Sequence, residues 1–268
     1  MITILQQIAL LIGTFVGGAT DAKTGYIYDW ITYPMIGVGM ILSLIQLQYF
    51  NLISGVLIFA GLFIVYKLGK IGGGDVKMFA GIALLNPYNE MNFLITLGFF
   101  AAITSLVFYS IFYSIKYIRV GFVMEDNKEG IRSALFLGAA IIAYFVVMFQ
   151  GGLIKLPFIL LAGIPFLLGI IFIAFQGGIK KEFFEKKVTL NKMEEDEVIS
   201  ENNSKKILKI LKGKSLLGDS EIALLKKNNI KSIIVLRDLP RFGPFIFIGT
   251  LFAILSPNFF MMLFWKSI

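Results

Sequence analysis

In a chain that keeps charge out of its apolar runs, Gly72-Gly73-Gly74-Asp75-Val76-Lys77 sets a carboxylate at the border of one such run, and Asp21 sets another at the end of an earlier one. A charged group at the edge of hydrocarbon is costly and marks a functional position. Two carboxylates at one depth on different helices cannot both ionise when close, so the pair holds one proton between them. The ionised member can take a proton from an attacking water while the other hydrogen-bonds the carbonyl oxygen and later protonates the leaving amine. That is aspartic-peptidase chemistry, and it needs no metal or cofactor. The simpler reading of Asp75 is a helix N-cap after a glycine turn. The three glycines allow positive φ, or the approach of another chain with no Cβ in the way. Helix polarity assigns the anion to Asp75, at a helix N-terminus, and the proton to Asp21, at a C-terminus. Asp29 is a further cytoplasmic acid, read as a cap of the second helix or a substrate contact rather than a catalytic group.

The elements that must position these residues are helices. The composition is 57% hydrophobic, with a mean hydropathy of +0.82. Eight apolar segments are predicted: Ile2–Thr20, Ile31–Phe50, Leu52–Tyr66, Val76–Pro87, Met91–Ile115, Ser133–Phe149, Leu156–Phe175 and Phe242–Trp265. Only helices satisfy their own backbone in lipid, so the expected fold is an all-α polytopic membrane protein of about eight spans. The first run lacks a basic n-region and a small-residue cleavage site, so it is expected to remain as a span rather than act as a signal peptide. If every segment crosses, all the lysines and arginines except Lys155 and Lys266 fall on one side. That side is the cytoplasm by the positive-inside rule, which places both termini outside and both aspartates at the cytoplasmic face of a cell membrane. The fourth segment is short for a span, which would leave Asp75 in a submerged pocket.

The net charge of +8 is explained by cytoplasmic loops and anionic headgroups rather than by nucleic acid. With no cysteine and no histidine, thiol and imidazole catalysis and zinc sites are excluded. The domains expected are a catalytic membrane part over 1–175, a small cytoplasmic α+β insertion over 176–241 and a last membrane helix over 242–268. Within the insertion, Lys187–Leu190 and Ile233–Leu236 read as strands. Gly218-Asp219-Ser220 followed by Glu221–Lys227 reads as a capped helix closed by Asn228 and Asn229. The apolar residues of Ser204–Lys212 suit either an anionic membrane surface or packing on the strands. Glu194-Glu195-Asp196-Glu197 reads as a solvated turn.

The run from Gly72 to Lys77 matches the GxGD-x-K signature of the membrane aspartyl peptidases that process type IV prepilins and archaeal preflagellins. Asp21-Ala22-Lys23-Thr24-Gly25, followed by Ile27 and Asp29-Trp30-Ile31-Thr32, resembles the other catalytic stretch of that family. Leu239-Pro240 and Pro244-Phe245-Ile246 resemble its archaeal branch. The resemblance implies Asp21 and Asp75 as the catalytic pair, with support from Gly72, Gly73, Gly74 and Lys77. It implies a protein substrate, a pilin or flagellin (archaellin) precursor whose short basic leader is cut at the cytoplasmic face. Lys23, Asp29, Glu125, Asp126 and Glu129 are candidate substrate contacts, although Glu125–Glu129 also reads as a solvated loop. Relatives that also methylate the new N-terminus carry a four-cysteine zinc loop. A cysteine-free chain implies peptidase activity alone. Family members of the preflagellin type are described with six spans, against eight here.

Two rivals use the same residues. A presenilin-like protease also has GxGD, and Tyr28-Asp29 is present, but no Pro-Ala-Leu motif follows. A secondary transporter would use Asp21 and Asp75 as an ion site, although the last four spans hold no charge and no duplicated half is visible. A structural membrane subunit would need neither acid. A phosphate loop is excluded, because the glycine run lacks the G-x-x-x-x-G-K-[ST] spacing.

Overall fold

The computed structural model describes residues 2–152, 156–190, 193, 197–211, 214 and 216–259. The chain order is α1 (Ile2–Thr24), α2 (Asp29–Ile45), α3 (Tyr49–Lys67), α4 (Gly73–Leu84), α5 (Met91–Val120), α6 (Met124–Gln150) and α7 (Leu156–Ile179). A π-helical turn, Lys180–Phe184, leads into β1 (Glu185–Thr189), β2 (Val198–Ile199), α8 (Lys205–Ile210), α9 (Asp219–Lys227), β3 (Ser232–Leu236) and α10 (Gly243–Leu255). Two compact units divide the chain, one holding residues 2–101 and 185–259, the other 102–184.

A helix forms at each of the eight predicted apolar segments. Among the described residues, five helical stretches are long and apolar enough to cross a membrane: Thr3–Thr24, Tyr49–Lys67, Met91–Val120, Met124–Gln150 and Gly163–Phe184. This is a polytopic membrane protein. The apolar helices α2 and α10 are shorter. The last one stops well before the expected boundary, because Ser256 leaves α geometry ahead of Pro257, where that geometry is sterically disfavoured. The remainder of that predicted segment, beyond residue 259, lies outside the described residues.

The brevity of α4 has a structural explanation. It packs against α1, α2 and α3, and every residue from Ala80 to Pro87 is buried. Met78, Ile82 and Leu85 join Leu10, Ile31, Met35, Phe93, Leu97 and Ile246 in one apolar core. A helix enclosed by protein has no need to match the bilayer thickness. It must instead pair its terminal carbonyls, which water does not reach. Ser43 Oγ donates to Leu84 O at 2.8 Å, and Asn51 Nδ2 donates to Asn86 O at 2.8 Å.

The segment after residue 184 carries a three-stranded antiparallel sheet in the order β1-β3-β2. Lys187 pairs with Ile234, and Ile199 with Val235. Both predicted strands are present. β2, two residues long, was not anticipated. Ile207, Leu211, Leu217 and Leu225 pack on Val188, Ile233 and Val235, so the apolar residues of α8 are used inside the domain. Asn203 completes the edge of β3 with its side chain: Nδ2 donates to Ile234 O at 2.6 Å, and Oδ1 accepts Ile234 N–H at 2.8 Å. Residues 194–196 of the predicted solvated turn lie outside the described residues. The Glu197 side chain is only 8% exposed and is ion-paired with Arg237, which corrects that expectation at its last residue.

The helix predicted after Gly218 is α9, with Gly218 at its N-cap, Asn228 at its C-cap and Asn229 at φ +56°. Glu221 reaches back to accept Gly218 N–H at 3.1 Å, the carboxylate half of a capping box. The Lys214 ammonium and the Ser220 hydroxyl hold its carboxyl down from 4.5 to about 2. A value lowered in the folded state gives stability that is complete above about 4.5 and lost as pH falls toward about 2. Acidification through that window is expected to speed amide exchange in α9 before that in β3. Exchange in α9 that does not change with pH, after correction for intrinsic rates, would remove Glu221 from the stability of the cap.

Candidate active site

Asp21 sits on the last turn of α1, which closes where Gly25, at φ +78°, donates its N–H to Asp21 O at 2.8 Å. The Asp21 side chain is 6% exposed and points at the start of α10. There the Gly243 N–H donates to Asp21 Oδ2 at 2.8 Å in a buried bond. A charge-assisted bond of this kind is worth about 1.5–3 kcal/mol. A Cβ on Gly243 would lie 2.8 Å from Asp21 Cβ and 2.9 Å from Oδ2, so only glycine allows the approach. The Arg241 guanidinium donates to Ala22 O and lies close enough for its charge to act on Asp21.

Asp75 occupies the third position of α4, one turn inside the Gly72 N-cap. Its carboxyl accepts the Gly72 N–H, so the capping read from sequence runs backwards from within the helix rather than from the cap position. Its Oδ1 is buried and has no hydrogen-bond partner. The charge of Asp21 acts on Asp75, so the two acids, 54 residues apart in sequence, lie within electrostatic range of one another.

The glycine run acts by size alone. None of Gly72, Gly73 and Gly74 has positive φ, so the expected backbone freedom is not used. Gly74 carries the close approach: a Cβ there would meet Ile27 O at 2.8 Å and Ile27 Cβ at 2.9 Å. The loop between α1 and α2 thus lies directly against the first turn of α4, which brings both aspartates into one region.

Lys77 Nζ pairs with Asp29 Oδ1 at 2.5 Å and lies 4.9 Å over the Tyr33 ring. Asp29 opens α2, so the pair ties the starts of α2 and α4 together just beyond Asp75. With side chains 27% and 54% exposed, it contributes at most about 1 kcal/mol. Lys23 is exposed on the last turn of α1. Glu125, Asp126 and Glu129 belong to the other unit, on the first turns of α6 rather than in a loop, where acids complement the helix dipole. Asp126 pairs there with Lys181 at 2.8 Å.

Sequence reasoning missed Arg241 and Gly243. It quoted the flanking Leu239-Pro240 and Pro244-Phe245-Ile246, and the Pro just inside a helix start was the signal that an N-terminus lay there. The direction of that N-terminus, toward a carboxylate 222 residues earlier, had no local trace. It also weakens the polarity argument, because the Asp21 carboxyl, carried on the last turn of α1, meets the N-terminus of α10, while Asp75 lies at the N-terminus of α4.

The sequence profile of the type IV leader peptidase family matches residues 8–114. Over 96 residues the chain is 29% identical to prepilin peptidase EppA of Methanothermobacter thermautotrophicus, covering 33% of this chain and 25% of that protein. The chain thus spans about a quarter of the length of the curated relative it matches. No solved structure matches it. The resemblance read from Asp21 and the Gly72–Lys77 run is borne out: the segment of this chain that carries Asp21 and Asp75 is similar to the type IV leader peptidase family.

Proposed function

We propose that this protein is a membrane aspartic endopeptidase that removes a short basic leader from type IV pilin-like or preflagellin precursors at the cytoplasmic face. The observation that carries the reading is that Asp21 and Asp75, on separate helices, lie within electrostatic range of one another, with Asp21 and the Oδ1 of Asp75 buried, in the segment that matches the leader peptidase family. In this reading all eight apolar helices lie in the membrane, with α2, α4 and α10 sheltered by their neighbours, and residues 176–241 form a cytoplasmic insertion.

Hydrogen bonding favours a division of roles opposite to the one helix polarity suggested. Asp21 accepts the Gly243 N–H beside the Arg241 cation, so it is the carboxylate that draws a proton from the attacking water. Asp75 carries the shared proton, because its buried Oδ1 lacks a donor and an unpaired anionic oxygen is costly there. It hydrogen-bonds the scissile carbonyl oxygen as water adds. The tetrahedral intermediate then collapses as the leaving amine takes a proton, and the pair is restored with one proton.

Detergent-solubilised protein incubated with candidate pilin and flagellin precursors tests the reading. The expected result is one cut at the leader junction, just before the hydrophobic helix of the precursor. Cuts inside generic transmembrane helices, or no cleavage of any precursor class, would overturn it.

A further inference from the structure

We propose that Arg241 is a positioning residue for Asp21, clamping the last turn of α1 to the start of α10 so that the Gly243 amide stays on the Asp21 carboxylate. The proposal rests on the reading of Asp21 and Asp75 as the reacting pair. The last turn of a helix is where it frays, because its final carbonyls have no partner within the helix. In α1 that turn carries Asp21. The Asp21 carbonyl is satisfied by Gly25 N–H, and the Ala22 carbonyl by the Arg241 guanidinium. A cation at the C-terminus of a helix also complements its dipole. Two residues on, Gly243 supplies the N–H to the Asp21 side chain. One turn back, a Cβ on Gly18 would lie 2.9 Å from Gly243 O, so the two backbones are already in contact. The three contacts hold one turn of α1 from its side chain, its terminal carbonyl and its backbone.

Arg241 follows the last strand of the inserted domain by five residues, through Asp238 at φ +56°. The exit from β3 therefore presents the guanidinium to α1. This gives the inserted sheet a part in the site, because the chain leaving it fixes where the clamp closes. Arginine suits the task because its fork can span a carbonyl and a neighbouring carboxylate, whereas lysine offers a point charge and glutamine offers a donor without charge.

The test compares R241K, R241Q and G243A with K231Q, a surface change on the inserted domain, in the full-length chain. R241Q is expected to lower kcat about ten- to a hundredfold with KM within about twofold, since small misplacement of a reacting group has effects of that size. R241K, which keeps the charge but not the fork, should recover only part of the loss, and K231Q should match the wild type. Carbodiimide labelling of Asp21, read by mass spectrometry, is expected to rise several-fold in R241Q and G243A while the melting temperature of R241Q stays near that of the wild type. The labelling needs no peptidase activity, so a wild type that cleaves nothing would sink the proposed function and leave the clamp testable. Wild-type kcat and unchanged Asp21 labelling in R241Q would overturn the clamp. So would a loss in R241Q that only follows a lowered melting temperature.

Discussion

Cleavage of a precursor leader is expected to fall by roughly 10³- to 10⁴-fold when either Asp21 or Asp75 is replaced by asparagine, the upper range for losing acid–base catalysis. Asparagine keeps the shape and can still accept the Gly243 N–H, so Asp21→Asn should fold with the α1–α10 contact intact. It cannot ionise and cannot share a proton. At position 75 the change replaces a buried carboxyl that has an unpartnered oxygen, so the fold is again expected to hold. The pair works as a unit, and the double variant should be little worse than either single one. Initial rates on one precursor, alongside melting curves in the same detergent, check this. A single variant that retains a tenth of wild-type activity would remove its aspartate from the chemistry.

The second large effect is expected at Gly74. A valine there would drive its Cβ into the Ile27 carbonyl, and backbone cannot rotate away as a flexible side chain would. The first turn of α4 would have to shift, and Asp75 is the next residue. A displacement of about 1 Å in a reacting group costs about 10²-fold in rate. The predicted result for Gly74→Val is a loss of that order in kcat. Gly61, where a Cβ would meet nothing within 4 Å, tolerates the same change. Equal rates for the Gly74 and Gly61 variants would show that the packing of Ile27 on Gly74 does not set the position of Asp75.

The features readable from sequence were those written in local pattern. The eight apolar runs gave the eight helices, and Gly218 through Asn229 gave α9 with both of its ends. The two longer strands of the insertion showed their apolar character, whereas Val198-Ile199 is too short to display a period. Asp21 and Asp75 stood out because their surroundings were so apolar. What could not be read was long-range. The burial of α4 depends on three neighbouring helices, so its length alone pointed only toward a short span with Asp75 in a submerged pocket. The glycines before Asp75 suggested backbone freedom, yet their use is steric and depends on where Ile27 lies. Arg241 and Gly243 reach Asp21 from the far end of the chain, and no spacing rule links them. Asp29 carried no sign that Lys77 would claim it.

The chain has no cysteine, so thiols can be placed at will without background. Asp21→Cys with Asp75→Cys, treated in the membrane with a short bis-methanethiosulfonate reagent, asks whether the two positions face each other. The predicted result is an intramolecular cross-link in the double variant at a yield far above that for Asp75→Cys paired with a thiol at exposed Leu239. If each single thiol reacts with a monofunctional reagent but the pair never bridges, the two acids do not meet and the proton-sharing mechanism is wrong.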